Sequence, residues 1–475
     1  MFEVVIVGGG SAGWLTAASL KATFRDRVNV KLVEPQNLPK VGVGESTLPT
    51  ILNTLKRIDC LDQDFLHSVN ATFKQGIKFS DWKELGHTFY HPYDYPAAPK
   101  YQNLNEWLSA GGEVPFAEIA TPQVAAMKAD LGPFRRDNKA AKAHFRYSLH
   151  VDAELLSQEI KRRWTKNNSV ACIDGEVAHV VRSGEQISRI RLTNGLEITG
   201  DLFIDCTGQR RVLNTGANYD GYDYLPVDSA LAVRPKHASP TVPTYTHCTA
   251  LKSGWVWDIP LQSRRGVGYV FSSRHCDPET ARASLTNYLG HDAVDVRHHQ
   301  FKPGVLREPW RANVASIGLS AGFVEPLEST GIYFIEEAIN LLIAFFPFSG
   351  WAHSRKSFNR ELVQRYNECA DFVFLHYYLS GRRDSGFWKE VTDPAKVPTE
   401  IAAALDFWSS VPPAVDQFLS LRQIFAHIAY EFILYGMDWY PSRYAVPDGL
   451  RHPNLHQDIK QIGLLKSAAV RSRNA

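Results

Sequence analysis

The segment FVEPLESTGIYFI, Phe323 to Ile335, sets two glutamates, a Ser-Thr pair and a glycine inside an otherwise apolar run. Burying such groups without partners costs free energy, so they need a use. Helical patterning resumes at Ile332 and continues through YFIEEAINLLIAFF. Thr330 and Gly331 therefore fall at or just before a helix N-terminus, where unpaired N–H groups and the helix dipole favour an anion. Capping by Ser329 or Thr330 is the plainer use of the same residues, and the two uses can coexist. Glu328 adds a carboxylate beside them.

In FKQGIKFSDWKE, Ile77, Phe79 and Asp81 alternate with Lys78, Ser80 and Trp82 at the period of a strand. On pattern alone Lys78 is a solvated strand residue, since lysines are rarely buried. SGWVWDIPL places Trp255, Trp257 and Ile259 on one face of a strand that Pro260 ends. Such a tryptophan pair serves as core packing or as the wall of a ligand tunnel. KVGVGESTLPTI offers small residues, Gly42, Gly44 and Ser46, that let backbone approach a planar ligand, with Pro49 suited to a first helical turn. An ordinary strand-to-helix loop reads the same way.

The N-terminus supplies a frame for these groups. FEVVIVGGGSAGWLTAASL reads as a buried parallel strand, a glycine turn and a helix from about Ala12. Gly8, Gly10 and Gly13 have GxGxxG spacing: a tight turn, a close approach for pyrophosphate, and close helix–strand packing. Gly9, Ser11 and Ala12 complete that turn. Glu34 ends the next strand, 21 residues after Gly13, where an acid can accept from a ribose diol. This unit predicts a dinucleotide and leaves NAD and FAD both open. FAD is favoured by GDLFIDCTGQRR, a strand ending at Asp205, after a β-meander with turns at Ser183-Gly184 and Asn194-Gly195. RANVASIGLSAGFVEPLE repeats the run of strand into small-residue turn. The expected fold is α/β, a flavin-monooxygenase-like FAD-binding module with mixed sheets.

Bulk properties exclude several classes. Lys and Arg number 52 against 50 Asp and Glu, so no basic field addresses nucleic acid or an acidic membrane. The six cysteines show no CxxC or metal spacing, which fits a reduced intracellular protein with no metal. No apolar run is long enough to span a bilayer, and the chain enters a strand at once, so a cytoplasmic location is expected.

Together GGGSAGW, VGVGEST, IKF, WVWDIP and FVEPLESTGIYFI, with DFVFLHYYLSGRRDSGFW further on, resemble the flavin-dependent halogenases of the tryptophan halogenase type. The resemblance spans nearly the whole chain. It implies that reduced FAD and O2 form a flavin hydroperoxide, which a halide attacks to give hypohalous acid for an aromatic substrate. By resemblance, Thr330 and Gly331 bind the halide, bromide or chloride. Lys78 handles the electrophilic halogen, as a hydrogen-bond donor or a haloamine, and Glu328 polarises it or assists loss of the ring proton. Trp255 and Trp257 separate substrate from flavin. Val43, Gly44, Ser46, Val177, Leu319 and Ile332 join the glycine turn and Glu34 around the cofactor.

FYHPYDYP resembles the region that presents rings to substrate, so His91 and Tyr93 are candidates, with a core role for His91 equally open. Tyr430 is followed by Glu431 where the enzymes of free tryptophan carry paired tyrosines, which shifts the expected substrate from tryptophan itself towards indole, a substituted indole or another electron-rich arene, with tryptophan still open. A separate NAD(P)H-dependent flavin reductase is the implied partner, a homodimer is compatible, and an FAD-dependent hydroxylase is the alternative. Residues 1–345 are expected to form an interleaved FAD-binding and substrate-binding module, and 346–475 a mainly helical region ending in a frayed basic tail.

Overall fold

The protein is described from a computed structural model, which covers residues 1–35, 44–95, 100–109, 111, 113–135, 142–166, 169–237, 241–418, 423–445 and the backbone of 464–466. Val43 and most of the basic tail lie outside the described residues. The chain forms two compact units, each assembled from three separated segments. The first holds Met1–Ala71, Val151–Tyr222 and Lys302–Asn367; the second holds Thr72–His150, Asp223–Phe301 and Glu368–Ala475. Interleaving runs through the whole chain, and the units do not part near residue 345. The long helix Trp351–Tyr378 begins in the first unit, and its residues from Glu368 belong to the second.

In the first unit β1, Phe2–Val7, is the centre of a six-stranded sheet. It runs parallel to β2, Val28–Glu34, on one side and to Leu202–Asp205 on the other. Val4, Val5 and Ile6 are fully buried, as a strand covered on both faces must be. Helix α1, Ser11–Phe24, connects β1 to β2 and buries Gly13 through Leu20. The strand order reverses direction at β1, so the carboxyl ends of β1, β2 and Leu202–Asp205 form the crevice where such sheets bind ligands. The predicted meander is present as Val177–Ser183, Gln186–Leu192 and Glu197–Ile198. Gly184 and Gly195 turn it with φ of +61° and +85°.

The second unit is built on a seven-stranded sheet. The Lys78 strand, Gly76–Ser80, pairs antiparallel with the His91 strand, Thr88–Pro92, and parallel with Thr246–Leu251. The latter pairs with the Trp255 strand, Gly254–Pro260, and that in turn with Arg265–Phe271. Registry assigns each side chain to a face, because residues directly opposite one another point the same way. Lys78, Tyr90, His247 and Asp258 share one face. Phe79, Phe89, Cys248 and Trp257 share the other.

Trp82 departs from the predicted alternation that grouped it with Lys78. Asp81 adopts φ +64° and ends the strand after Ser80. Trp82 swings into the aromatic face, fully buried, and donates its indole N–H to the Cys248 carbonyl at 3.1 Å. There it meets Phe79, Trp255 and Trp388 edge-on or tilted. Among the described residues no helix is long and apolar enough to cross a membrane. No group of three or more His, Cys, Asp or Glu able to hold a metal occurs among them either.

Candidate active site

At the carboxyl end of β1 the glycines have separate tasks. Gly8 has φ +112°, and a Cβ there would lie 2.3 Å from the Cys206 carbonyl oxygen. A Cβ on Gly13 would lie 1.8 Å from the Gly8 oxygen, so α1 packs on the turn only because Gly13 has no side chain. Gly10, the residue before α1, has nothing within 4 Å of such a Cβ. Open space in front of a helix N-terminus is what a pyrophosphate requires, and these residues fit a dinucleotide. Ser11 donates its hydroxyl to the Ala153 carbonyl at 3.3 Å, which holds the turn.

Glu34 closes β2 at 5% exposure, its carboxylate lying where a Gly9 side chain would be. It accepts from Lys161 at 2.7 Å, and the exposed Cys172 thiol stands 3.7 Å from its Oε1. A carboxylate has lone pairs to spare for a ribose diol beside this ion pair. Gly318 packs against Ala12, with Leu319 exposed beside it. Val177, expected near the cofactor, is half-buried against the cluster of Val5, Val33 and Ile190.

Asp205 is the residue of this crevice that sequence reasoning left without a role. Its carboxylate accepts from the backbone and hydroxyl of Thr207, from the backbone of Leu213 and Asn214, and from the Ser320 hydroxyl. It thereby ties the turn after Leu202–Asp205 to the turn Gly318–Ser320. A strand-terminal acid followed by Thr-Gly was the available signal.

The helix Thr330–Ala344 begins as predicted at Thr330. Ser329 adopts the left-handed conformation, φ +63°, and makes no capping hydrogen bond through its side chain. Its hydroxyl donates to Ser46 at 2.9 Å instead, joining the GES strand to the helix start. The capping reading of Ser329 is therefore corrected: the left-handed backbone turns its hydroxyl away from the first-turn N–H groups. Glu325 and Glu328 are both buried, as is Ile332. Gly331 meets a single neighbour within 4 Å of a would-be Cβ, the Glu45 carboxyl at 3.7 Å. Burial pushes that carboxyl up to about 7. One turn further on, buried Glu336 accepts from Thr54 at 2.6 Å and Thr50 at 3.2 Å, and burial outweighs both to push it up to about 8.

In the second unit Lys78 is half-buried, its ammonium 6.0 Å from the Tyr245 ring centre. His247, opposite it, is pushed down to about 4, first by burial and then by Lys78. The more deeply held lysine is Lys74, with no exposed surface. It ends the strand Thr72–Lys74, and its ammonium sits 4.9 Å from the Tyr93 ring centre. Gln75 breaks the run between the two lysines, donating to Thr244 and accepting from the Tyr93 backbone. That break hid Lys74 from a reading based on strand period.

His91 is 6% exposed, on the face opposite Lys78, with its ring tilted against Phe372 and Phe432. Trp255 is fully buried on that same face, 6.3 Å from Trp257 and 6.3 Å from Trp82. Trp257 is half-buried and lies over Gly268, where a Cβ would fall 2.1 Å from its ring. Lys78 and the tryptophan pair thus occupy opposite faces of one sheet.

These arrangements define a class before they define a family. BrvH, a flavin-dependent halogenase from Brevundimonas sp. BAL3, is similar at TM-score 0.84 and 31% identity, covering 93% of this chain and 91% of that one. A tryptophan halogenase from Shewanella frigidimarina NCIMB 400 is similar at TM-score 0.89 and 27% identity, covering 99% and 97%. Tryptophan 6-halogenase SttH from Streptomyces toxytricini is 34% identical over 467 residues, covering 91% of this chain and 89% of the relative. Its solved structure has TM-score 0.88 to this fold and covers 95% and 93% of the two chains. The fold is that of a flavin-dependent halogenase. The tryptophan halogenase family model matches residues 3–448, and the chain belongs to that family.

Proposed function

We propose that this enzyme halogenates an electron-rich arene of the indole class, drawing reduced flavin from a separate NAD(P)H-dependent reductase. Membership of the family favours halogenation over the hydroxylase alternative. Reduced flavin, when bound, would supply two electrons to dioxygen, and the halide would give up the other two and so reach the oxidation level of hypohalous acid. The chain's own residues do the rest. The Gly8–Gly13 turn and the N-terminus of α1 hold the pyrophosphate, and Glu34 holds the ribose. The first N–H groups of the Thr330 helix, with Gly331 open beside them, hold the halide.

The observation that carries the oxidant-handling step is the burial of Lys74 over Tyr93. A fully buried ammonium held over an aromatic ring is positioned to donate to a hypohalous oxygen and raise the electrophilicity of the halogen. Lys78, half-buried on the face opposite His91, has weaker support for the same role. Glu328 is the carboxylate proposed to take the ring proton after substitution. His91 and Tyr93 are proposed to flank the substrate ring.

The test is turnover with FAD, a generic flavin reductase, NADH and bromide on a panel of indoles, read by mass spectrometry. Wild type, Lys74→Met and Lys78→Met are compared at equal FAD loading. Brominated product lost in Lys74→Met supports the assignment. Product gaining oxygen and no halogen, in wild type, overturns it.

A further inference from the structure

The helix His427–Gly436 carries a carboxyl that the mechanism above does not use. Glu431 is 5% exposed, yet it lines a cavity of about 370 Å³ whose walls include Tyr95, Tyr101, Asn103, Phe418 and Ile428. All of these belong to the second unit. The next residue, Phe432, brings its ring 5.7 Å from that of His91. The wall residue Tyr95 stands two positions after Tyr93, so the cavity shares the segment that carries Tyr93 and the helix that packs on His91.

No cation among the described residues balances Glu431. Burial alone pushes its carboxyl up to about 8. Its neighbours are poor partners. On its own helix, burial holds the His427 imidazole below its usual range, and the Tyr435 hydroxyl is buried with no hydrogen-bond partner. Burial, then Glu431, then Tyr101 and Tyr444 raise that tyrosine. From the facing segments come Tyr95, Tyr101 and Lys100, and the Lys100 ammonium is taken by Asp416 at 2.8 Å. A carboxyl facing a cavity without a counter-charge is destabilised when ionised, and an incoming cation removes that penalty. Among the described residues, the one lysine or arginine that a carboxylate entering the same cavity meets on its wall is Lys100, which already pairs with Asp416.

We propose that Glu431 anchors a protonated amine on the substrate, so that this halogenase takes an arene with a basic side chain and no carboxylate beside the amine. The inference rests on the halogenase reading above. When the ammonium seats, the neutral acid gives its proton to bulk water and the carboxylate pairs with the amine. Binding therefore releases up to one proton near neutral pH. Amine affinity rises as pH is raised towards about 8, because less of the carboxyl then remains to be ionised.

The test uses the full chain with tryptamine, 3-ethylindole and tryptophan as probes. Calorimetric titration of tryptamine in two buffers of different ionisation enthalpy counts protons released by wild type. Competition turnover measures preference in wild type and Glu431→Gln. The expected result is proton release with a tryptamine preference over 3-ethylindole of at least about tenfold, lost in Glu431→Gln. Binding without proton release, or a tryptophan preference over tryptamine, overturns the assignment. If tryptamine binds with proton release and no probe is halogenated, the amine site stands and the halogenase reading falls. If 3-ethylindole and tryptamine are halogenated equally, the reverse holds. The calorimetry on wild type decides the matter even where Glu431→Gln fails to fold.

Discussion

Glu45 and Gly331 bring a titrating acid to the start of the helix proposed to bind halide. The Glu45 carboxyl, raised to about 7 by burial, is neutral below that pH and leaves the helix N-terminus free to attract an anion. Above it, a second negative charge stands beside the halide. Bromide KM is therefore expected to rise as pH passes upward through about 7, and Glu45→Gln is expected to flatten that dependence. Steady-state bromide titrations across that range check it. At the same scale, Lys74→Met is expected to lower kcat for halogenation by about 10²–10³, the loss typical of one well-aimed donor in a dry site. Lys78→Met is expected to change it by less than about tenfold. Single-turnover halide incorporation by the two variants, at matched FAD binding, separates them.

Among the elements, the glycine turn makes two different demands that one substitution type can separate. Gly13→Ala forces a Cβ against the Gly8 carbonyl, so both the melting temperature and FAD affinity are expected to fall. Gly10→Ala meets no protein atom, so stability is expected to hold while FAD affinity falls. Thermal melts and flavin fluorescence titration distinguish the two. Glu336 links its helix to Ile51–Arg57 through Thr54, with Thr50 just before that helix. Its folded-state carboxyl, about 8, lies above its unfolded value of 4.5. The folded state therefore binds the extra proton, and stability falls as pH rises between those values. Glu336→Gln is expected to remove this slope from melting temperatures measured over that interval.

Most of the frame for these elements was legible in the sequence. The β1–α1–β2 unit, the two later strand-to-turn contacts, the meander turns and the Thr330 helix start each follow from a local pattern. The faces of the second sheet were harder to read. A left-handed Asp81 and the break at Gln75 interrupt the alternation on both sides of Lys78, so strand period misplaced Trp82 and passed over Lys74. The hydroxyl bond from Ser329 to Ser46 joins positions 283 residues apart, and no spacing rule reports it.

At the scale of the molecule, two units are each drawn from three segments of chain, and none of the cysteines among the described residues is bridged. Reductant is accordingly expected to leave the melting temperature unchanged. Five thiols are buried, and Cys172 alone is exposed, beside Glu34 at the end of β2. A catalyst whose working intermediate is a diffusible oxidant attacks itself when coupling to substrate fails. Burial, the first cause, raises the Cys172 thiol above its usual range, which keeps its reactive thiolate scarce but does not shield it. Sulfenic and sulfinic acids formed there would set new polar bulk against Glu34. The lifetime of the enzyme in total turnovers is then expected to depend on a thiol outside the chemistry. Cys172→Ser is expected to lengthen it under substrate-starved conditions, with intact-mass spectra of the spent wild type showing oxygen added at that one cysteine.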